Sequence, residues 1–207
     1  TQPGRREPFM RMPPPDANAP KSPVTGPNAA QLGAYAKDVA RSVVGKRTRE
    51  QIAKDQGTYA PMAIQEANAQ GVPANLITRM FNHESGWNPN AHAVKTDAVG
   101  IAQLRRGAAA DMGLSPQDRW DPAKNIKAGV DYLARHLNTF RGSQPVAVAA
   151  YHMGAGDLKS GVNWGPETRK YVQIALGLPS PVTDEQIREW VTPLGIAYQS
   201  KPIRRAG

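Results

Sequence analysis

The segment between Pro73 and Gly86 carries its apolar residues at the spacing of an α-helix. Leu76, Ile77, Met80 and Phe81 share one face of such a helix. Glu84 follows Met80 by four residues and therefore continues this apolar face. Burial disfavours the charged form of a carboxyl group and therefore raises its pKa. A general acid that works near neutral pH needs such a raised pKa. The pattern predicts such an acid at Glu84, and the alternative is a solvated glutamate where the helix stops.

Further helical patterns follow along the chain. Thr48 and Gln51 predict a capping box at the start of a short helix. Further helices are expected to begin at Pro61, Pro73, Gln103, Pro122, Pro145, Pro166 and just after Thr183. The apolar stripe that runs from Ile126 to Phe140 predicts the central core helix. No run alternates with period 2, so the predicted fold class is all-α or nearly all-α, with loops that hold the functional residues.

The composition changes along the chain and predicts four segments. These are a Pro-rich flexible arm at 1–27, a helical leader at 28–58, a compact domain at 59–178, and a helix with a basic tail at 179–207. The leader packs either on the domain or on another protein, and the sequence leaves both open. A chain that starts near Tyr59 is expected to keep the domain's activity.

Composition narrows the possible partners. The net charge of +9 favours an anionic partner, namely nucleic acid, a membrane surface or a cell wall. The basic residues stand in short groups without interleaved aromatic residues, which argues against nucleic acid. The absence of Cys excludes disulfides and thiolate ligands. His83-Glu84 lacks the second His of a zinc-protease motif, so no metal site or cofactor is predicted.

The sequence contains no run long enough for a transmembrane helix, and its first thirty residues lack the apolar core of a signal peptide. If the chain is complete, export by that route is not expected. If a signal has been removed, the protein is expected in the periplasm.

Four short motifs follow one another in a fixed order. They are Glu84-Ser85-Gly86, Gly100-Ile101-Ala102-Gln103, Ala150-Tyr151-His152, and Glu167 with Tyr171. Each motif is weak alone, but together they resemble the soluble lytic transglycosylase family, a branch of the lysozyme-like superfamily. The resemblance covers about residues 59–178 and implies a lysozyme-like catalytic domain that acts on peptidoglycan glycan strands.

The family resemblance implies a reaction with one catalytic carboxyl group. The MurNAc–GlcNAc β-1,4 bond is cleaved with formation of 1,6-anhydro-MurNAc, and Glu84 acts first as acid and then as base. The N-acetyl group of the substrate assists, and the muramyl 6-hydroxyl replaces water. No second carboxylate stands in a matching motif, so the usual pair of carboxylates is not predicted.

The same resemblance implies the residues that contact the substrate. Ser85, Gln103, Tyr151 and His152 are expected to bind sugar, and Tyr171 is expected to orient the acid. Trp87 and Trp164 are candidates either for sugar stacking or for helix packing.

The chain departs from the family pattern at two positions. His152 stands where the family usually has Asn, which could keep a hydrogen bond to substrate and add pH dependence. Ala102 stands where the family usually has Met, and a wider groove is expected.

Two other classes of function remain open at this stage. A lysozyme-type hydrolase would use Asp97 to position water, although a solvated Asp97 paired with Lys95 is the favoured expectation. A virion or secretion component could instead use the fold for wall binding, with residues 1–58 as its contacts. The arm and extra helices resemble phage particle-borne transglycosylases, which act in the bacterial periplasm and wall during genome delivery.

Overall fold

The computed structural model describes residues 47–161 and 163–198, and this part of the chain is mainly α-helical. Its helices are α1 (Arg49–Ala69), α2 (Ala74–Ser85), α3 (Arg106–Asp111), α4 (Pro122–Thr139), α5 (Gln144–Met153), α6 (Ala155–Lys159), α7 (Pro166–Leu176) and α8 (Asp184–Val191). The predicted fold class is confirmed. The predicted Pro-rich arm, residues 28–46 of the predicted leader and most of the basic tail lie outside the described residues.

A small hairpin follows α2, which the sequence did not predict. Its strands, β1 (His92–Ala93) and β2 (Ala98–Val99), pair antiparallel, with His92 opposite Val99. Two residues per strand are too few to produce a recognisable period-2 pattern.

Helix α1 begins at the predicted capping box. The Thr48 hydroxyl accepts from the Gln51 amide at 3.2 Å, and the Gln51 side chain accepts from the Thr48 amide at 2.9 Å. The helix then continues through Pro61, so the predicted helix start there is wrong, and the expected domain boundary near Tyr59 falls inside a helix. Tertiary packing offsets the hydrogen bond that proline removes. The residues that pack this helix on the core are Ala60, Ala63 and Ala67.

The start of α1 is tied to the end of α2. Arg47 donates to the Gly86 carbonyl oxygen at 2.6 Å and forms an ion pair with Asp55. An ideal Cβ at Gly86 would lie 3.6 Å from a side-chain carbon of Ile52, so the two helix ends are in contact. The last residues of the predicted leader therefore belong to the domain.

The central helix is α5, and the prediction that the helix after Pro122 has this position is wrong. Residues 146–150 are all buried, because α5 packs against α4, α7 and α8. Helix α4 is amphipathic and packs on α5 and α1 with one face. A clear apolar stripe indicates a helix with one solvent-exposed face, whereas a helix that is apolar on all sides lies at the centre of the fold.

The C-terminal segment is fastened to α7 by one side chain. Arg169 donates to the carbonyl oxygens of Trp164 at 2.7 Å and Val182 at 3.1 Å, and to the Tyr198 hydroxyl at 2.6 Å. It also pairs with Asp184. Because α8 buries its apolar residues in the same core, residues 179–198 are part of the compact unit.

Candidate active site

Glu84 stands in the last turn of α2 and faces a cavity of about 240 Å³. The helix ends because Gly86 adopts the left-handed conformation at φ 60°. The lining of the cavity includes Glu84, Gln103, Arg105, Tyr132, Tyr151 and His152. Among the described residues that line it, Glu84 is the one carboxylate. The structure thus brings four of the six predicted site residues to one cavity.

The environment of Glu84 keeps about half of its carboxyl groups protonated at pH 7. Burial raises the pKa of Glu84 to about 7, while a hydrogen bond from Tyr171 and the charge of Arg105 act in the opposite direction. A carboxyl group with this pKa can donate a proton and take one back near pH 7.

Tyr171 holds the Glu84 carboxyl group in place. The hydroxyl of this buried α7 residue donates to Glu84 Oε1 at 2.5 Å. The centroid of its ring lies 4.8 Å from that of the His152 ring and 5.5 Å from that of the His83 ring. Burial and the nearby Glu84 raise the pKa of Tyr171 well above its usual value, so the phenol remains a donor.

Tyr151 lines the cavity and holds the loop that contains Ala102. Its hydroxyl donates to the Ala102 carbonyl oxygen at 2.8 Å, and its ring packs against the ring of Tyr132 at 5.2 Å. Ala102 itself is fully buried beneath the site, where an ideal Cβ at Gly129 would lie only 2.4 Å from its methyl carbon. Ala102 is not among the described residues that line the cavity, and the expectation that it widens the groove stays a prediction.

Asn125 fixes the loop that carries Gln103, and sequence reasoning missed it. Its Oδ1 accepts from the Ala102 amide at 2.8 Å, and its Nδ2 donates to the carbonyl oxygens of Val99 at 3.1 Å and Arg119 at 2.8 Å. Gly100, at φ 76°, presses against this amide, since an ideal Cβ there would lie 2.5 Å from Asn125 Nδ2. The glycine of the second motif is thus required by close approach as well as by its turn.

Gln103 is strained and held by the same loop. It adopts φ 47°, a value that non-glycine residues seldom take. Its side-chain amide donates to the Gly100 carbonyl oxygen at 2.8 Å and to that of Ala91 at 3.3 Å. These bonds fix the side chain at the cavity wall.

The Ser85 side chain forms a hydrogen bond with the backbone. Its hydroxyl donates to the Ile101 carbonyl oxygen at 2.9 Å, which joins the end of α2 to the second motif. Ser85 is absent from the described residues that line the cavity. Its substrate contact stays a prediction.

His152 lines the cavity beside Glu84. Its Nδ1 lies 3.2 Å from the hydroxyl of the buried Thr168. Burial lowers the pKa of His152; Glu167 opposes this effect, and Arg105 adds to it. At neutral pH the ring is therefore an uncharged hydrogen-bonding group.

Asp97 anchors a loop, and the expectation of a solvated Asp97 paired with Lys95 is wrong. Its carboxylate contacts the buried Arg119 at 3.0 Å, Arg106 at 3.1 Å and His92 Nε2 at 3.4 Å. Burial raises the pKa of Asp97, but Arg119 and Arg106 outweigh this effect and lower it. The carboxylate is held by Arg119 and Arg106, and Asp97 is not among the described residues that line the cavity.

Both candidate stacking tryptophans pack inside the domain. Trp87 is fully buried, with its ring edge-on to Phe81 at 5.9 Å. Trp164 is 2% exposed and lies 6.2 Å from the ring of Trp190. Of the two roles predicted for these tryptophans, the structure shows helix packing.

Arg105 and Tyr132 also line the cavity, and the sequence analysis did not select them. Arg105 could have been found from its place two residues after Gln103, whereas Tyr132 reaches the site only through the packing of α4. Within residues 47–161 and 163–198, no three His, Asp or Glu side chains group as metal ligands. No helix in this range has both the length and the apolar character of a membrane span.

The helical fold and the single carboxylic acid in its cavity define a lysozyme-like domain. A family model described as the transglycosylase SLT domain matches residues 61–172, more than half of the chain. The chain belongs to this family.

Two similar proteins each match about half of this chain. The membrane-bound lytic murein transglycosylase F of Desulfosudis oleivorans is 32% identical over 107 residues, which are 49% of this chain and 23% of the relative. The membrane-bound lytic murein transglycosylase C of Yersinia enterocolitica is 33% identical over 116 residues, which are 48% of this chain and 32% of the relative. The chain thus spans about a quarter to a third of these relatives.

A solved structure has a similar fold. The lytic transglycosylase Slt of Pseudomonas aeruginosa, determined as an inactive mutant, superposes with a TM-score of 0.52 at 22% identity. The match covers 82% of this chain and 30% of the other.

Proposed function

We propose that this domain is a peptidoglycan lytic transglycosylase that cleaves the MurNAc–GlcNAc β-1,4 bond and forms 1,6-anhydro-MurNAc. The observation that carries the proposal is the carboxyl group of Glu84, which has a pKa of about 7 and is the one carboxyl group among the described residues that line the cavity. Membership of the family and the names of the relatives support the same reaction.

The geometry suits a single group that gives and then recovers one proton. Protonated Glu84 donates to the glycosidic oxygen as the bond from this oxygen to the muramyl C1 breaks. The resulting carboxylate then accepts the proton of the muramyl 6-hydroxyl, whose oxygen bonds to C1. Glu84 ends protonated, no water is consumed, and the products are a free GlcNAc end and an anhydro-MurNAc end.

The surrounding residues position the acid and the sugar. Tyr171 orients Glu84 through the 2.5 Å hydrogen bond. In the proposed complex, Gln103, Tyr151 and His152 contact the sugar from the cavity wall, and Ser85 acts on the loop through Ile101. A hydrolase in which Asp97 activates water finds no support, because that carboxylate is held by Arg119 and Arg106.

We extend the proposal to the setting of the enzyme. The basic composition supports action at the anionic wall, and the proline density of residues 1–27 supports attachment to other proteins of a phage particle or secretion machine. Crosslinking of the full chain within such a particle, with loss of the crosslinks when residues 1–46 are removed, tests this extension.

Mass spectrometry of the muropeptides released from purified wall tests the reaction. The chain should release anhydro-muropeptides, and Glu84→Gln should reduce their yield by roughly 10²-fold or more, on the scale of acid–base catalysis. Glu189→Gln, which removes an exposed carboxylate of α8, serves as the matched control. Products with free reducing ends would move the chain to the hydrolases, and unchanged turnover in Glu84→Gln would remove Glu84 from the mechanism.

A further inference from the structure

Arg105 brings an unpaired cation to the cavity that holds Glu84. Its side chain is exposed and lines the cavity. Within the described part of the chain, its guanidinium makes no hydrogen bond or ion pair. The next residue differs, since Arg106 is paired with Asp97 at 3.1 Å.

Other arginines of the domain stabilise its fold through hydrogen bonds and ion pairs. Arg47 binds Gly86 and Asp55, Arg119 binds Asp97, and Arg169 binds Trp164 and three groups of the C-terminal segment. An arginine that holds no structural partner yet lines the cavity is available to a ligand. A guanidinium presents a planar set of donors that matches a carboxylate in two parallel hydrogen bonds.

The charge balance of the cavity favours an anion. Near pH 6 the Glu84 carboxyl group is mostly protonated, because its pKa is raised to about 7. Burial lowers the pKa of His152, which favours the uncharged form of its ring. Arg105 is the remaining full charge among the described residues that line the cavity, so the site carries a net positive charge before substrate binds.

We propose that Arg105 binds a carboxylate carried by the muramyl substituent of the substrate and so selects acidic glycan strands over neutral ones. The inference rests on the proposed function. The carboxylate is either the lactyl group itself, when it is free, or an acidic residue of the peptide stem attached to it. Both sources present the same planar anion to the guanidinium.

Binding to defined glycan strands tests this selection independently of cleavage. The strands are added to Glu84→Gln protein, and dissociation constants are measured by calorimetry at pH 5.5. Three substrates are compared: strands with intact peptide stems, peptide-free strands with a free lactyl carboxylate, and peptide-free strands with the lactyl group converted to its methylamide. Arg105→Gln is added to this background, and Arg49→Gln, an exposed arginine outside the cavity, is the matched control.

Arg105→Gln should weaken binding of the acidic strands by roughly tenfold, the scale of a charge-assisted hydrogen bond, and leave methylamide strands unaffected. The acidic substrate with the larger loss identifies the source of the carboxylate. Equal losses on acidic and neutral strands, or no loss on either, would overturn the proposal. If Arg49→Gln produced the same loss, general charge attraction would replace it.

A cleavage assay of the unmutated chain on the same three substrates tests the proposed reaction separately from the proposal on Arg105. Absence of anhydro-muropeptides from all three substrates would reject the transglycosylase reaction, while the binding comparison would still decide on Arg105. Conversely, normal cleavage with no acidic preference rejects the inference alone.

Discussion

Tyr171 donates a 2.5 Å hydrogen bond to Glu84 Oε1, although 87 residues separate the two in the chain. The bond joins α7 to the last turn of α2 and stabilises the ionised carboxylate. It therefore moderates the rise in pKa that burial causes.

Tyr171→Phe should raise the pKa of Glu84 further, because the variant loses a donor to the ionised form. The acid then stays protonated to higher pH, so the basic limb of the kcat/KM profile should move upward. The rate below pH 6 should fall by about tenfold, since the carboxyl group loses its orienting bond. A pH–rate series with Tyr59→Phe as control measures both effects, and a fall in rate with an unmoved limb would contradict the argument.

The stability of the domain should depend on Glu84 in a defined pH window. The ordinary pKa of 4.5 applies to the unfolded chain, and the folded value is about 7. Between these values the unfolded chain releases the proton and the folded one retains it, so this group reduces stability as pH rises. Glu84→Gln lacks this penalty, and its Tm relative to the parent should increase from pH 4.5 to 7 and then level off.

A second buried group does not disturb that comparison. Burial lowers the pKa of His136 to about 4, with Arg135 acting in the same direction, so stability is lost as pH falls from about 6.5 towards 4. His136 is present in both proteins, and its effect cancels in the difference. A Tm difference that does not vary with pH would reject the raised pKa of Glu84.

Asp97→Asn should affect stability more than chemistry. The substitution removes the carboxylate that pairs with Arg119 and Arg106, so the loop before Gly100 should loosen and Tm should fall. The rate at 25 °C should stay within about tenfold of the parent, as expected for an indirect effect, and the products should still be anhydro-muropeptides. Asp111→Asn, at an exposed ion pair, is the control. A much larger loss of rate without a change in Tm would return Asp97 to the mechanism.

A chain that begins at Tyr59 should be less stable than one that begins at Arg47. The shorter chain lacks the first ten residues of α1, the bond from Arg47 to Gly86 and the contact with Ile52. Its Tm should fall and its activity should decrease with it, contrary to the expectation from the sequence. Thermal denaturation of residues 47–198 and 59–198 compares them directly, and equal Tm values would show that the N-terminal half of α1 is dispensable.

Local signals predicted the fold where the chain itself supplies the cap. Helices α2, α4 and α8 begin as expected, because Pro73, Asp121 and Thr183 determine their starts within one turn. The separate helix start expected at Pro61 is absent, because packing of the α1 alanines overrides the effect of that proline. Local sequence does not report such long-range packing.

The same distinction applies to the site. Glu84 could be predicted because its place on the apolar face is local, and the partner Tyr171 came from the order of the motifs. Asn125 could not be predicted, since a single Asn within an amphipathic helix has the pattern of a surface residue. Its three bonds exist only once α4 packs on the loop.

The loop around Ala102 is held by side chains from three different helices. Ser85 bonds the Ile101 carbonyl oxygen, Asn125 bonds the Ala102 amide, and Tyr151 bonds the Ala102 carbonyl oxygen. A graft of the second motif alone into another helical domain would arrive without these supports and lose its shape. The smallest catalytic unit that could be transferred is therefore discontinuous, because it must include both Glu84 and the residues that bind the loop.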